Sequence, residues 1–349
     1  MTHPIFDGHN DCLLHLYRGG PNAADGFRTG LPGHIDLPKA KAGNFAGGFY
    51  AMFVPDESSL DWSVMHNSSY DIPLPPMIQQ SAAQTVVKAQ AAVLRALHER
   101  GDLTICTTAD ALRTAISQGQ QAAIMHLEGA EAIDPELEFL DTLYDMGLRS
   151  LGPVWSRPTI FGHGVPFRYP SDGDIGSGLT EAGHRLVARC AQKRIIVDLS
   201  HLNMAGFEDV ANTGIPLVAT HSNAHAICPH ARNLTDEQLR MIGQSCGMVG
   251  LNFAAAFLRP DGQMQAEDAL EWMVRHLDHM LDLAGEDHVG LGSDFDGAVV
   301  PAEIGSIAGL DVLRDAMRQN GYDDALMAKL CHGNWVGLCD RVFAPAPPE

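Results

Sequence analysis

A (β/α)8 barrel of the TIM type is the fold this sequence predicts, and three observations predict it. Eight short β-rich runs recur along the 349 residues, and most of them are followed by a helical pattern. No hairpin signal joins one run to the next, so the alternation specifies a parallel α/β sheet, and eight strands are the number that closes one into a barrel. No Gly-x-Gly-x-x-Gly follows the first run, which counts against a doubly wound open sheet.

The elements follow in order. The first run, Ile5–Asp11, leads into a Gly-, Pro- and Asn-rich segment over 17–46, read as an insertion on the loop after the strand. The second, Gly47–Val54, leads into a similar insertion over 56–76 and then the helical pattern Ser81–Arg100. Ala122–Glu128 precedes the helix Glu136–Met146, and Leu148–Val154 precedes Thr180–Lys193. Ile195–Ser200 and Pro216–His221 are the fifth and sixth runs, and the helix Asp236–Gly243 opens with the capping-box pair Thr235 and Gln238. Gly247–Phe253 precedes the helix Glu267–Leu283, and His288–Asp294 is the eighth run. The terminal APAPPE is expected to fray. With no internal repeat and no low-complexity linker, residues 1–349 are read as one domain.

Composition narrows the function. At 45% hydrophobic residues the chain can bury a large core, which excludes a disordered or fibrous protein. Lys and Arg number 23 against 43 Asp and Glu, a net charge of −20 that repels phosphates, so nucleic acid and anionic membrane are poor partners. The N-terminus MTHPIFDGHND carries no basic and apolar signal pattern, and no apolar run is long enough for a membrane span. The seven scattered cysteines form no CxxC pair and read as thiols of a reducing, cytoplasmic compartment.

The chemistry collects at the ends of the strands. The first ends in His9-Asn-Asp11, the third in His126-Leu-Glu128, and the fifth runs into Asp198-Leu-Ser-His201. The sixth ends in Thr220-His221 and the eighth runs into Asp294-Phe-Asp296. In this fold the C-terminal ends of the strands form the active-site rim, so metal-competent or acid/base residues from five strands meet there. Imidazole and carboxylate without thiolate suit zinc or a similar divalent ion, and their number exceeds what one catalytic zinc takes from protein. A two-metal site accounts for the surplus, with His9 and Asp11 on one metal, His201 and His221 on the other, and Glu128 as the bridge. His126 shares the Glu128 face and reads as barrel filling, with a ligand role as the alternative. Glu131 reads as a capping or solvent-facing group. Asp296 reads as a turn or supporting residue, with the catalytic role in place of Asp294 as the alternative. His225 and His230 are open between substrate contact and plain surface exposure.

These segments resemble the membrane dipeptidase (renal dipeptidase) family of the amidohydrolase superfamily. The resemblance rests on DGHND at Asp7–Asp11, GGFYAMFVP at Gly47–Pro55, LEGAEAID at Leu127–Asp134 and VDLSH at Val197–His201. It continues through THSNAHAICPHARNLTDEQL at Thr220–Leu239, VGLGSDFDG at Val289–Gly297 and GNWVGL at Gly333–Leu338. It implies a distorted (β/α)8 barrel holding two Zn²⁺, with Mn²⁺ or Co²⁺ as substitutes, that cleaves dipeptides through a metal-activated hydroxide. It implies the same five ligands, Asp294 as the general acid and base, and Arg232 as the group that grips the substrate's C-terminal carboxylate. The residues alone suggest for Arg232 only a surface or capping arginine.

The resemblance also exposes a departure. Family members such as the mammalian enzyme carry a histidine after the fourth strand, near the scissile carbonyl, and here Trp155 stands in its place. Tryptophan donates one N–H but never becomes a cation. Carbonyl polarisation is then left to the metal or to another group such as His163, or the substrate is another small amide, such as an N-acyl amino acid or a lactam. By the same resemblance the chain looks like the bacterial cytosolic members, and a homodimer is expected.

Overall fold

A computed structural model describes residues 2–20, 23–55 and 60–344. Eight parallel strands are present in the expected order: Ile5–Asn10, Phe45–Phe53, Ala122–Glu128, Leu148–Gly152, Ile196–Val197, Val218–Ala219, Met248–Leu251 and Val289–Leu291. The first five pair in sequence to form one curved sheet, and the last three form a second. Two single bridges close the ring, Asp198 to Val218 between strands five and six and Asn10 to Phe295 between strands one and eight. Ser293 strengthens the second seam, because its amide and hydroxyl both donate to the buried Asp7 carboxylate, at 2.6 and 2.7 Å.

The core has two parts. Phe6, Phe49, Ile124, Ile196, Val218 and Met248, each from a different strand, pack with Trp335 into a fully buried cluster that fills the lower barrel. A larger cluster lies between the strands and the outer helices. Strands two and three approach so closely that a Cβ on Gly47 would lie 1.9 Å from the Ala122 carbonyl oxygen, which requires glycine there.

The expected helices form close to their sequence limits. Gln80–Glu99, Glu138–Met146, Glu181–Lys193 and Leu270–Ala284 flank the barrel. Asp236–Gln244 starts with both hydrogen bonds of the capping box from Thr235 and Gln238 in place. The segment 17–46 contains the short helices Ala23–Thr29 and Leu37–Ala42, with 21–22 outside the described residues. In the segment 56–76, residues 56–59 lie outside the described residues, and Tyr70–Ile72 pairs antiparallel with Phe167–Tyr169 from the loop after strand four. This two-stranded ribbon, which the sequence did not suggest, roofs the C-terminal end of the barrel. Of the terminal APAPPE, residues 345–349 lie outside the described residues. Among the described residues no helix is long and apolar enough to cross a membrane.

Candidate metal centre and active-site cavity

His9, Asp11, Glu128, His201, His221 and Asp294 come together at the C-terminal rim, and all but Asp294 are at least nine-tenths buried. Glu128 is the last residue of strand three, so its carboxylate points over the barrel mouth. Its Oε1 lies 3.1 Å from His201 Nε2, 3.5 Å from His221 Nε2 and 3.8 Å from His9 Nε2. His9 Nε2 is also 3.6 Å from Asp11 Oδ2, and the two Nε2 atoms of His201 and His221 are 3.1 Å apart. Three overlapping groups with ligand geometry result: His9 with Glu128 and His221, His9 with Asp11 and Asp294, and His9 with His126 and Asp198. His201 and Asp294 reach this geometry from left-handed backbone, with φ of 71° and 60°, strain of the kind that persists where function holds it in place.

The donors fit divalent cations. Both ring nitrogens of His9 and Asp11 Oδ1 are buried without a hydrogen-bond partner. Burial holds His201 and His221 well below the usual imidazole range, so both are neutral and present a lone pair. Burial also pulls His9 down, but the carboxylates of Glu128 and Asp11 outweigh it and push it up to about 10. The carboxylates therefore call for positive charge at this point, and a proton on His9 supplies it when no metal does. Gly297 leaves the space open, since a Cβ there would lie 2.1 Å from Asp11 Oδ2 and 2.6 Å from Asp294 Oδ1.

Hydrogen bonds fix the imidazole tautomers. Thr220 Oγ1 donates to Asp198 Oδ2 at 2.6 Å, so it accepts from His221 Nδ1–H at 2.9 Å and leaves Nε2 bare. Ser156 Oγ lies 2.9 Å from His201 Nδ1. Partners of this kind orient metal ligands, and their loss typically weakens metal binding about 10- to 100-fold. Thr220→Val should do so in a metal competition titration, and Thr220→Ser should restore the affinity. An unchanged affinity in the valine variant would show that the ring is held by packing alone.

Asp294 is poised above the ligands. Burial raises its carboxyl, opposed by His9, and its Oδ2 accepts from Asn252 Nδ2 at 3.1 Å. Asn252 follows strand seven and is a site residue that sequence reasoning missed. In sequence it falls inside the run Gly247–Phe253, and a neutral amide is neither a typical metal ligand nor an acid, so nothing marked it. Arg232 is buried, not a surface residue. Its terminal nitrogens reach the His221 carbonyl at 3.1 Å and Ser222 Oγ at 3.5 Å, and its Nε is buried without a partner. Burial lowers it to about 10, so it remains a cation at neutral pH.

The remaining candidates divide. His126 is fully buried in the barrel with Nδ1 2.9 Å from Ser150 Oγ. Asp296 has a supporting role, exchanging hydrogen bonds with His34: the His34 amide donates to it at 2.6 Å, and its own amide donates to His34 Nδ1 at 2.8 Å. Glu131 neither caps a helix nor faces solvent. Its carboxylate is buried against Arg157, Oε1 to Nε 2.6 Å, because a fully buried guanidinium needs a counter-charge. His230 is likewise buried, against Phe257, while His225 bonds the Ser171 carbonyl at 3.0 Å. A cavity of about 630 Å³ opens above the ligands, lined in part by Asp11, Glu128, His201, Asp294 and Trp155.

Comparison with known proteins places the chain in a family. A metallopeptidase from Rhodobacter sphaeroides, solved with a phosphinate mimic of the dipeptide L-Ala-D-Ala, is 53% identical. The alignment covers 98% of this chain and all of that one, with a TM-score of 0.96. A Klebsiella pneumoniae protein from the pqqA 5′ region is 43% identical over 257 residues, 73% of this chain and 95% of that one. An amidohydrolase from Pseudomonas aeruginosa shares the fold at 18% identity, with a TM-score of 0.73 over 98% of this chain and 97% of that one. A family model for membrane dipeptidases, peptidase family M19, matches residues 1–344. The chain belongs to that family, the membrane dipeptidases, and is a metal-dependent hydrolase of the dipeptidase class.

Proposed function

We propose that the protein hydrolyses the peptide bond of dipeptides that carry a free C-terminal carboxylate, L-Xaa-L-Xaa, L-Xaa-D-Xaa or both. The observation that carries this reading is the convergence of three imidazole Nε2 atoms on Glu128 Oε1, with Asp11 and Asp294 beside them. The L-Ala-D-Ala mimic in the Rhodobacter relative supports the substrate class. Two divalent ions, Zn²⁺ first with Mn²⁺ or Co²⁺ as substitutes, would polarise the scissile carbonyl and acidify a water. His9, Asp11, Glu128, His201 and His221 would hold them.

The chain's own groups do the rest. Asp294, oriented by Asn252, takes the proton of the attacking water and returns it to the leaving amine. Arg232 receives the substrate carboxylate, with its buried, unpartnered Nε available to that ligand. Trp155 borders the substrate in the position the family histidine takes. The reading takes residues 1–349 as one domain, a cytoplasmic location and a twofold homodimer, the commonest closed assembly.

The test is amino-acid release from L-L and L-D dipeptides and from their C-terminal amides, with metal-loaded protein. Release from the free dipeptides is expected. No release from any dipeptide would turn the reading to another small amide, an N-acyl amino acid or a lactam. Arg232→Met should reduce kcat/KM on free dipeptides about tenfold to a hundredfold, as expected for losing a charge-assisted pair. Equal losses on the amides would remove Arg232 from the carboxylate.

A further inference from the structure

One wall of the cavity is aromatic and is assembled largely from loops outside the barrel. Trp155 lies 5.8 Å from the His201 ring and meets Phe53 at 5.2 Å and Phe167 at 5.4 Å, centroid to centroid. Phe167 stacks on Phe257 at 6.2 Å with the planes 18° apart, and Met65 and Met264 complete the lining. The wall is held from behind. The buried Arg157 guanidinium lies 5.0 Å from the Trp155 ring and 5.4 Å from Phe53, fixed by Glu131 and by its bond to the Val54 carbonyl. Tyr70 and Tyr169 hydroxyls donate to the Gly262 and Pro260 carbonyls at 2.6 Å, tying the ribbon to the loop after strand seven. The charged groups Arg18, Asp294 and Asp296 line the cavity from the loops after strands one and eight.

Arg232 relates this wall to the substrate. Its guanidinium carbon lies 5.6 Å from the Phe257 ring. Arg232 is not itself among the residues that line the cavity; it meets the wall at Phe257, the edge along which the side chain of a residue held there by its carboxylate would lie. We infer that the wall formed by Trp155, Phe167, Phe257 and Met264 is the pocket for the side chain of the leaving, C-terminal residue and selects apolar side chains there. This rests on the dipeptidase reading and on Arg232 as the carboxylate clamp.

Selectivity then has a direction and a size. Each carbon buried against such a wall is worth up to about fourfold in kcat/KM, so Leu at the leaving position, with three more carbons, should exceed Ala roughly tenfold to sixtyfold. Asp or Lys at that position gains nothing from the rings and must be desolvated, and falls below Ala. The experiment measures kcat/KM of the metal-loaded full chain on two series, Ala-X and X-Ala, with X as Ala, Leu, Phe, Asp and Lys in both D and L forms at the leaving position. A steep apolar preference in Ala-X and a shallower dependence in X-Ala support the inference. A flat or charge-favouring Ala-X series, or a steeper dependence in X-Ala, overturns it while leaving the dipeptidase reading intact. No cleavage of any member overturns both. Met264→Lys adds a directed check: the Leu-to-Asp ratio in Ala-X should fall at least tenfold, while the same ratio in X-Ala stays put. A ratio unmoved in Ala-X counts against the wall.

Discussion

Asp294→Asn should lower kcat by about a hundredfold to ten-thousandfold, the usual worth of a positioned general acid or base, with metal content per chain unchanged. Asparagine keeps the shape of the side chain, can still face Asn252, and tolerates the left-handed backbone at this position. What it cannot do is accept and return a proton. Metal analysis of the purified variant beside its steady-state kinetics makes the result decisive, because Asp294 also lies within ligand distance of His9 and Asp11. A variant that loses metal together with activity would show Asp294 to be a ligand first.

Stripping the metal with a chelator should abolish turnover altogether and lower the melting temperature by several degrees. The carboxyl groups of Asp11, Glu128 and Asp294 gather around His9, where a divalent ion would balance their charge. A ligand present at a thousand times its Kd stabilises the folded state by about 4 kcal/mol, and the stripped protein forfeits that. Calorimetry before and after chelation, with zinc added back, measures it. Full activity in protein shown to be metal-free would remove the metals from the mechanism.

The rim was legible because each strand there ends in a residue type with few structural reasons to be buried. His9, Asp11, Glu128, His201 and His221 all stood out this way, and they converge. The length of strands five and six was not legible. Each was read as six residues and pairs over only two, Ile196–Val197 and Val218–Ala219. The Asp198 side chain explains this: its Oδ1 accepts the amides of Ser200 and Thr220, hydrogen bonds that a continued ladder would have taken. The ribbon of Tyr70–Ile72 and Phe167–Tyr169 joins segments almost a hundred residues apart, a pairing no local pattern carries. Glu131 reads as a capping or solvent-facing group because no partner for it is visible nearby in sequence. The aromatic wall escaped notice for a related reason, since its rings come from the end of strand two and the loops after strands four and seven.

The two single-bridge seams would give a bound metal a mechanical role as well as a chemical one. His9, Asp11, Glu128 and His201 lie on or just past strands of the larger sheet, while His221 and Asp294 follow strands of the three-strand sheet. A metal held among them would rivet two shells that the backbone itself fastens only lightly, and its loading would be coupled to closure of the seams. Hydrogen exchange would show it: after chelation the Asp11, Leu199 and Asp294 amides, which bond across the seams, should exchange faster, while those joining Phe45–Phe53 to Ala122–Glu128 keep their protection.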